Sequence, residues 1–96
     1  MKIIDIKKQA GVFAENKDIA GTIRETIVLP ALRSRDEVAF DFTGVEGATQ
    51  SFVHAMISEA IREFGSEVLD HMVFRHCNAS IQGIIEIVTD YMQMSE

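Results

Sequence analysis

An alternating apolar stretch, a glycine-bearing polar loop and a helical stripe follow one another in the middle of the chain, and this order most constrains the fold. Val38, Phe40 and Phe42 are separated by single residues that are small or charged. Such a period of two is typical of a β-strand, so residues 37–42 are predicted to form a strand with one well-covered face.

The loop that follows carries Gly44 and Gly47, which tolerate backbone dihedrals that other residues avoid. Beyond Ser51 the apolar residues change to helical spacing, at Val53, Ile57, Ala60, Ile61 and Phe64. A helix is therefore predicted to begin near Ser51. The Ser51 hydroxyl is one predicted N-cap for this helix and the Thr49 hydroxyl is the competing one, since either oxygen can accept a free N–H of the first turn.

Elements on both sides of this segment alternate between strands and helices. A first strand is predicted around Ile4 and Ile6, and a short second strand around Val12 and Phe13 is predicted to pair with it as an edge hairpin. A helix starting at Asn16 or Asp18 is predicted to kink or stop near Leu29, because Pro30 lacks the N–H that a helix needs.

The second half of the chain repeats this alternation. Gly65 is expected to end the middle helix, and a further strand is expected within residues 69–74. Asn78 or Ser80 is expected to begin the last helix, whose apolar stripe is Ile81, Ile84, Ile85, Val88 and Met92. The sequence thus predicts one α/β domain over residues 1–96, in the order β-β-α-β-α-β-α, with helices packed mainly on one face of a small mixed sheet.

The segment from Asp41 to Ser51 resembles the signature of STAS domains, the fold of bacterial anti-sigma factor antagonists. That signature is a strand, an Asp-Leu-x-x-Val run and then Asp-Ser-Ser-Gly at the start of a helix. Asp41, Gly44 and Val45 match the first part, and Ser51 takes the place of the second serine.

The rest of the motif departs from that pattern. Thr49 stands where the aspartate is usual, Gln50 replaces the first serine, and Phe52 replaces the glycine. The Ser51-Phe52 pair is similar to the divergent STAS-like family of unknown function. The resemblance follows most of the chain in element order, and it implies a STAS-like fold.

The resemblance also implies a regulatory, non-enzymatic function in signalling. In antagonists of this kind, the second serine is phosphorylated by a histidine-kinase-like ATPase that is also the anti-sigma factor. Ser51 is therefore the candidate switch residue, with Thr49 as the neighbouring hydroxyl. The alternative is that the serine is only a helix cap in a partner-binding loop.

The surface expected to contact the protein partner consists of the loop and the first turns of the helix. Its predicted residues are Glu46, Gly47, Ala48, Thr49, Gln50, Ser51, Phe52 and His54. For Phe52 two roles are open, an anchor of the helix on the sheet and a direct contact for the partner. The anchor is favoured because burial of an aromatic side chain stabilises a fold by about 1.5–3 kcal/mol.

A different class of function remains as the alternative: a small hydrolase or ligand-binding domain that uses Ser51 and His54, which lie one helical turn apart. No Gly-x-Ser-x-Gly sequence surrounds the serine, so no catalytic residue and no cofactor is expected. His71, His76 and Cys77 lack the second pair of ligands that a structural zinc site needs, and no metal site is expected.

Composition limits the class of partner and the cellular compartment that we expect. Fifteen acidic residues against nine basic ones give a formal charge of −6, which disfavours nucleic acid as a partner. One cysteine, no signal-peptide pattern and no apolar run of spanning length predict a cytoplasmic domain without a membrane partner. A homodimer is an alternative that the sequence leaves open.

Overall fold

The structure, a computed structural model, describes residues 1–94, so the last two residues of the predicted domain lie outside the described part. Its strands are β1 (Lys2–Asp5), β2 (Phe13–Ala14), β3 (Val38–Asp41), β4 (Gly47–Ala48) and β5 (Met72–Arg75). Its α-helices are α1 (Ile6–Ala10), α2 (Lys17–Ile23), α3 (Leu29–Arg33), α4 (Gln50–Phe64) and α5 (Ala79–Met94). A π-helical turn (Arg24–Val28) joins α2 to α3, and a 3₁₀ helix (Ser66–His71) precedes β5.

The main sheet has three parallel strands in the order β1-β3-β5. Ile4, Phe40 and Phe74 lie side by side across it, and the rings of Phe40 and Phe74 stack with their centroids 5.0 Å apart. Ile4 and Phe40 are buried in the main apolar core, because the helices pack on this face.

The opposite face of the same sheet remains open. Ile3, Ala39 and Val73 form the neighbouring row in the register, and their side chains point away from the helices. Ile3 is 60 % exposed and Val73 is 36 % exposed. Ala39 is buried but lies outside the main core cluster. The predicted α/β fold with helices mainly on one face is therefore confirmed.

The two long helices bury the stripes that their spacing predicts. In α4, Val53, Ile57, Ala60 and Ile61 are buried, whereas Phe64 at the end of the helix is 37 % exposed. In α5, Ile81, Ile85, Val88 and Met92 are buried and Ile84 is partly buried. Burial of each of these large apolar side chains is worth about 1.5–3 kcal/mol, so the sheet and the helices are held together mainly by this shared core.

A second sheet differs from the prediction. β2 pairs with β4, in parallel, through Phe13 with Gly47 and Ala14 with Ala48. The predicted hairpin between the first two strands is therefore wrong, and the sheets contain parallel strands instead of one mixed sheet. The chain cannot turn back on itself there, because α1 begins at Ile6 directly after β1 and the Asp5 carboxylate caps it by accepting the N–H of Lys8.

Of the two predictions for the region around Pro30, the stop near Leu29 is wrong and the kink stays a prediction. The helical path does not stop near Leu29; it continues through the π-helical turn into α3, which ends at Arg33. The Leu29 N–H donates to the carbonyl of Arg24, five residues earlier, and the proline occupies the first turn of α3. A proline is tolerated in a first turn, because its missing N–H would have had no partner inside that helix.

Helix ends agree with the capping signals in the sequence. Asn16 accepts the N–H groups of Asp18 and Ile19, and Asn78 accepts the N–H of Ile81. Gly65 ends α4 with a φ of +84°, a conformation that residues with a side chain rarely adopt. The sequence left two candidate caps open at the starts of α2 and α5, and the structure shows that Asn16 caps α2 and Asn78 caps α5.

Among residues 1–94, no helix has both the length and the apolar character needed to cross a membrane.

Loss of the Phe40 ring is expected to destabilise the fold far more than loss of an equal ring at the end of α4. Phe40→Ala should lower the free energy of unfolding by about 3–5 kcal/mol, because it leaves a cavity between the sheet and the helices. Phe64→Ala, on a partly exposed residue, should cost less than half as much. Urea denaturation followed by circular dichroism measures both, and equal losses would contradict the described core.

Candidate functional site

The strand-to-loop transition is held by the side chain of Asp41. Its Oδ1 accepts the Thr43 hydroxyl at 2.6 Å and the Thr43 N–H at 2.9 Å, and the next turn closes when the Val45 N–H donates to the carbonyl of Phe42. The Thr43 hydroxyl, followed by its backbone N–H, lowers the pKa of the Asp41 carboxyl from its usual value. The aspartate of the motif thus shapes the turn that leads into the loop.

The loop after Val45 is bonded to two other parts of the fold. The Glu46 N–H donates to the carbonyl of Val12 at 2.7 Å, and the Thr49 N–H donates to the carbonyl of Ala14 at 3.0 Å. On the other side, the Asn78 amide donates to the carbonyl of Glu46 at 2.8 Å. The N-cap of α5 and the strand β2 therefore fix the loop from both sides.

The ring of Phe13 lies directly on Gly47. A Cβ at position 47 would come within 2.8 Å of Phe13 Cε2, closer than a side chain can approach. Phe13 is nevertheless 53 % exposed and the preceding Val12 is 46 % exposed. The glycine thus allows an aromatic side chain to stand beside the loop while most of its ring remains accessible.

The start of α4 is capped by Thr49. Its Oγ1 accepts the N–H of Phe52 at 3.1 Å, and the helix begins at Gln50. The prediction of Ser51 as the N-cap is therefore wrong and the competing prediction of Thr49 is confirmed. Ser51 lies at the second position of the helix, where its side chain points into solvent.

The predicted contact residues divide into a surface group and a supporting group. Glu46, Gln50 and Ser51 are exposed, whereas Thr49 and His54 are partly buried. Three others, Gly47, Ala48 and Phe52, are buried. Phe52 has no exposed surface and is part of the main core, which is the anchor role favoured by the sequence and leaves no surface for direct contact with a partner.

A cleft of about 350 Å³ lies beside the first turns of α4, and both Ser51 and His54 line it. Its remaining lining residues are Lys17, Gln50, Ala55 and Tyr91. The rings of His54 and Tyr91 are tilted with their centroids 6.4 Å apart. Because most lining residues are exposed, the cleft is shallow and open to solvent.

The two sides of this cleft are joined by Arg24. Its guanidinium donates to the carbonyl of Ala55 at 3.0 Å and so links the end of α2 to the middle of α4. Its Nε is the one buried side-chain polar atom of the described residues that lacks a hydrogen-bond partner. The arginine therefore links two of the helices whose residues line the cleft.

Sequence reasoning missed four residues of this site. Val12, Phe13, Lys17 and Tyr91 come from elements far from the loop in sequence, and no spacing rule connects them to Ser51. Only Phe13 carried a usable signal, because it stands in a short apolar pair. The pairing of β2 with β4 and the packing of α2 and α5 on α4 bring them to the loop.

Other predicted positions do not join the site. His76 and Cys77 line a separate cleft beside Phe74, and burial raises the pKa of the Cys77 thiol from its usual value. His71 lies on a third cleft with Arg35 and Phe64. Over residues 1–94, no three histidine, cysteine, aspartate or glutamate side chains form a group that could hold a metal ion.

A comparison with known protein families finds one family that matches the part of the chain containing the loop. A family described as STAS-like domain of unknown function (DUF4325) matches residues 20–82, about two thirds of the chain. Neither a curated protein nor a solved structure shows significant similarity. The matched range includes Asp41 and Ser51, whereas Phe13, Lys17 and Tyr91 lie outside it.

Thr49 and Ser51 should respond differently to loss of their hydroxyls. Thr49→Ala removes the cap of α4 and should lower the free energy of unfolding by about 1 kcal/mol. Ser51→Ala should change it by less than about 0.5 kcal/mol, because an exposed hydroxyl without a hydrogen-bond partner contributes little. Thermal denaturation of both variants measures this difference, and a larger loss for Ser51→Ala would contradict the assignment of the cap.

Titration of Asp41 tests the hydrogen bonds that its carboxylate accepts from Thr43 in the turn. Carbon-13 NMR should give a pKa below the usual value of about 3.9, and Thr43→Val should raise it toward that value. Because the folded-state pKa is lowered, this contribution to stability is complete above the unfolded-state pKa and is lost as pH falls through the folded-state pKa. The stability difference between the parent and Thr43→Val should therefore shrink in acid. An Asp41 pKa that Thr43→Val does not change would contradict the hydrogen bonds described for this turn.

Proposed function

The chain belongs to the family of STAS-like domains of unknown function (DUF4325), and from this premise we propose that it is a regulatory protein–protein interaction module. The docking surface is the loop from Glu46 to Ser51 with the first turns of α4. Its partner is a histidine-kinase-like ATPase or an anti-sigma factor, and phosphorylation of Ser51 controls the contact. The exposure of Ser51 at the start of a long helix carries this proposal.

Accessibility supports Ser51 over Thr49 as the modified residue. The Thr49 hydroxyl accepts the N–H of Phe52 and the residue is partly buried, so its oxygen is less accessible to a kinase than that of Ser51. The Ser51 hydroxyl does not cap the helix. A phosphate on it adds about −1.5 to −2 charges near the positive end of the helix dipole, where a negative charge stabilises a helix by about 0.3–1 kcal/mol.

Phosphorylation of Ser51 is the transfer of a phosphoryl group from a nucleotide to the serine oxygen. The Ser51 oxygen forms a bond to the γ-phosphorus of a nucleoside triphosphate, and the bond from that phosphorus to the nucleoside diphosphate breaks. The hydroxyl proton passes to a base of the kinase or to solvent. The partner supplies the nucleotide and the catalytic groups, and this chain supplies the accessible oxygen.

Apolar surface beside the loop gives the partner something to bind. Phe13 and Val12 are both about half exposed and lie against Gly47. Aromatic side chains carry a disproportionate share of binding energy in protein interfaces. Phe13 therefore serves as the apolar contact of the docking surface, with Ser51 as the residue whose charge changes.

A binding role also fits the geometry of Ser51 and His54 better than a catalytic one. Activation of a serine requires a hydrogen bond from its hydroxyl to a base that is oriented by a third group. The two side chains share an open cleft, but no hydrogen bond joins them. The proposed module is accordingly non-enzymatic.

Site-specific photocrosslinking in the native cell tests the docking surface. A benzophenone amino acid replaces Glu46 in the loop, and in a matched control it replaces Glu67, an exposed glutamate beyond the opposite end of α4. We expect a covalent adduct with one protein from position 46, and mass spectrometry should identify an ATPase or anti-sigma factor. The control position should give no such adduct.

The switch is tested in the same strain. Ser51→Asp should reduce the adduct from position 46 at least about tenfold, which corresponds to about 1.4 kcal/mol of lost binding free energy, and Ser51→Ala should leave it unchanged. Equal adducts from positions 46 and 67 would contradict the docking surface. An adduct that Ser51→Asp does not change would contradict the switch.

A further inference from the structure

The cleft beside Ser51 differs in charge from three other clefts of the described chain. The chain carries a formal charge of −6, and three other clefts each include an aspartate or a glutamate in their lining. The cleft beside Ser51 has no acidic lining residue, and its lining includes the ammonium of Lys17 and the imidazole of His54. An anion placed there would therefore meet positive charge without a carboxylate in the same cleft.

These two basic side chains come from two of the three helices that line the cleft. Lys17 is the first residue of α2, and His54 lies one turn after Ser51 in α4. Lys17 forms no ion pair with any residue of the described chain, 1–94. Two acidic residues, Asp18 and Asp90, adjoin lining residues in sequence but do not line the cleft. The ammonium of Lys17 is thus available to a new anion.

We propose that this cleft holds the phosphate of phosphorylated Ser51, with the ammonium of Lys17 as its counter-ion and the imidazole of His54 as a hydrogen-bond donor. The proposal rests on the proposed function, because it concerns the same hydroxyl, and it adds the residues that receive the phosphate. Paired with Lys17, the phosphate links α2 to α4 next to the contact that Arg24 already makes with Ala55. Part of the phosphate charge is then offset within the domain, and the side chains of Lys17 and His54 are no longer accessible to a partner.

This arrangement gives a physical reason for release of a partner. In the unmodified protein, the side chains of Lys17 and His54 lie beside the loop, and the positive charge of Lys17 can attract acidic side chains of the docking protein. A phosphate on Ser51 occupies them and adds negative charge at the same place. Modification of one oxygen therefore removes an attraction and introduces a repulsion.

Phosphorus-31 NMR on the intact domain tests the assignment directly. Phosphoserine is encoded at position 51 during synthesis, so that neither a kinase nor a partner is needed, and the phosphate is titrated between pH 4 and 9. Nearby cations favour the doubly charged phosphate, so we expect its pKa to lie at least about half a unit below that of a phosphoserine peptide. Lys17→Met should remove most of this difference, and Lys17→Arg should preserve it.

Matched variants distinguish a local effect from a change in total charge. Lys2→Met removes the same charge from a different cleft and should leave the phosphate pKa unchanged. His54→Gln should raise the phosphate pKa by a smaller amount than Lys17→Met. Circular dichroism confirms that each variant is folded, which is expected because Lys17 is exposed and lies in the first turn of its helix.

The outcomes separate this proposal from the proposed function. A phosphate pKa that is insensitive to both Lys17→Met and His54→Gln, or equally sensitive to Lys2→Met, overturns the phosphate-binding cleft whatever partner is found. A pKa that depends on Lys17 supports it. If partner binding is then unaffected by Ser51→Asp, the regulatory switch fails while the phosphate contact stands.

Discussion

The close approach of the Phe13 ring to Gly47 is the contact on which the geometry of the site depends. The ring in this position leaves no room for a Cβ at position 47, and it lies where β2 pairs with β4. Because the loop is bonded to Val12 and Ala14 through its backbone, the position of β2 determines where α4 begins. A two-residue strand pair thus fixes the orientation of a fifteen-residue helix and the place of Ser51 on the surface.

Capping and exposure are divided between two hydroxyls at this helix start. Thr49 accepts the N–H of Phe52 and is partly buried, whereas Ser51 is exposed. Because Thr49 and not Ser51 caps α4, a chemical change at Ser51 leaves the helix cap in place. Phe52 completes the arrangement, since its burial anchors the first turn on the core and keeps the neighbouring serine at the surface.

Local physical signals account for what the sequence predicted. Alternation identified the strand at Phe40, helical spacing identified the buried stripe of α4, and Asn16 and Gly65 marked two helix ends. Each of these features is determined within a few neighbouring residues. The motif itself was located correctly, although the sequence left the choice between Ser51 and Thr49 as the cap open until the hydrogen bond was known.

Long-range packing accounts for what was missed. The pairing of β2 with β4 involves only two residues on each strand and joins segments more than thirty residues apart, so no periodicity reveals it. The π-helical turn before Pro30 packs against α4, a helix from the other half of the chain. Lys17 and Tyr91 reach the cleft only because three helices converge there, which a linear pattern cannot show.

Proton NMR of the Gly47 α-hydrogens is the most direct measurement of this central contact. An aromatic ring seated on the glycine should shift at least one of these resonances strongly upfield and should give cross-relaxation between the α-hydrogens and the Phe13 ring. Phe13→Leu should remove the shift while the domain stays folded. Unperturbed Gly47 resonances in the parent protein, with no cross-relaxation to Phe13, would contradict the described position of the loop and with it the site.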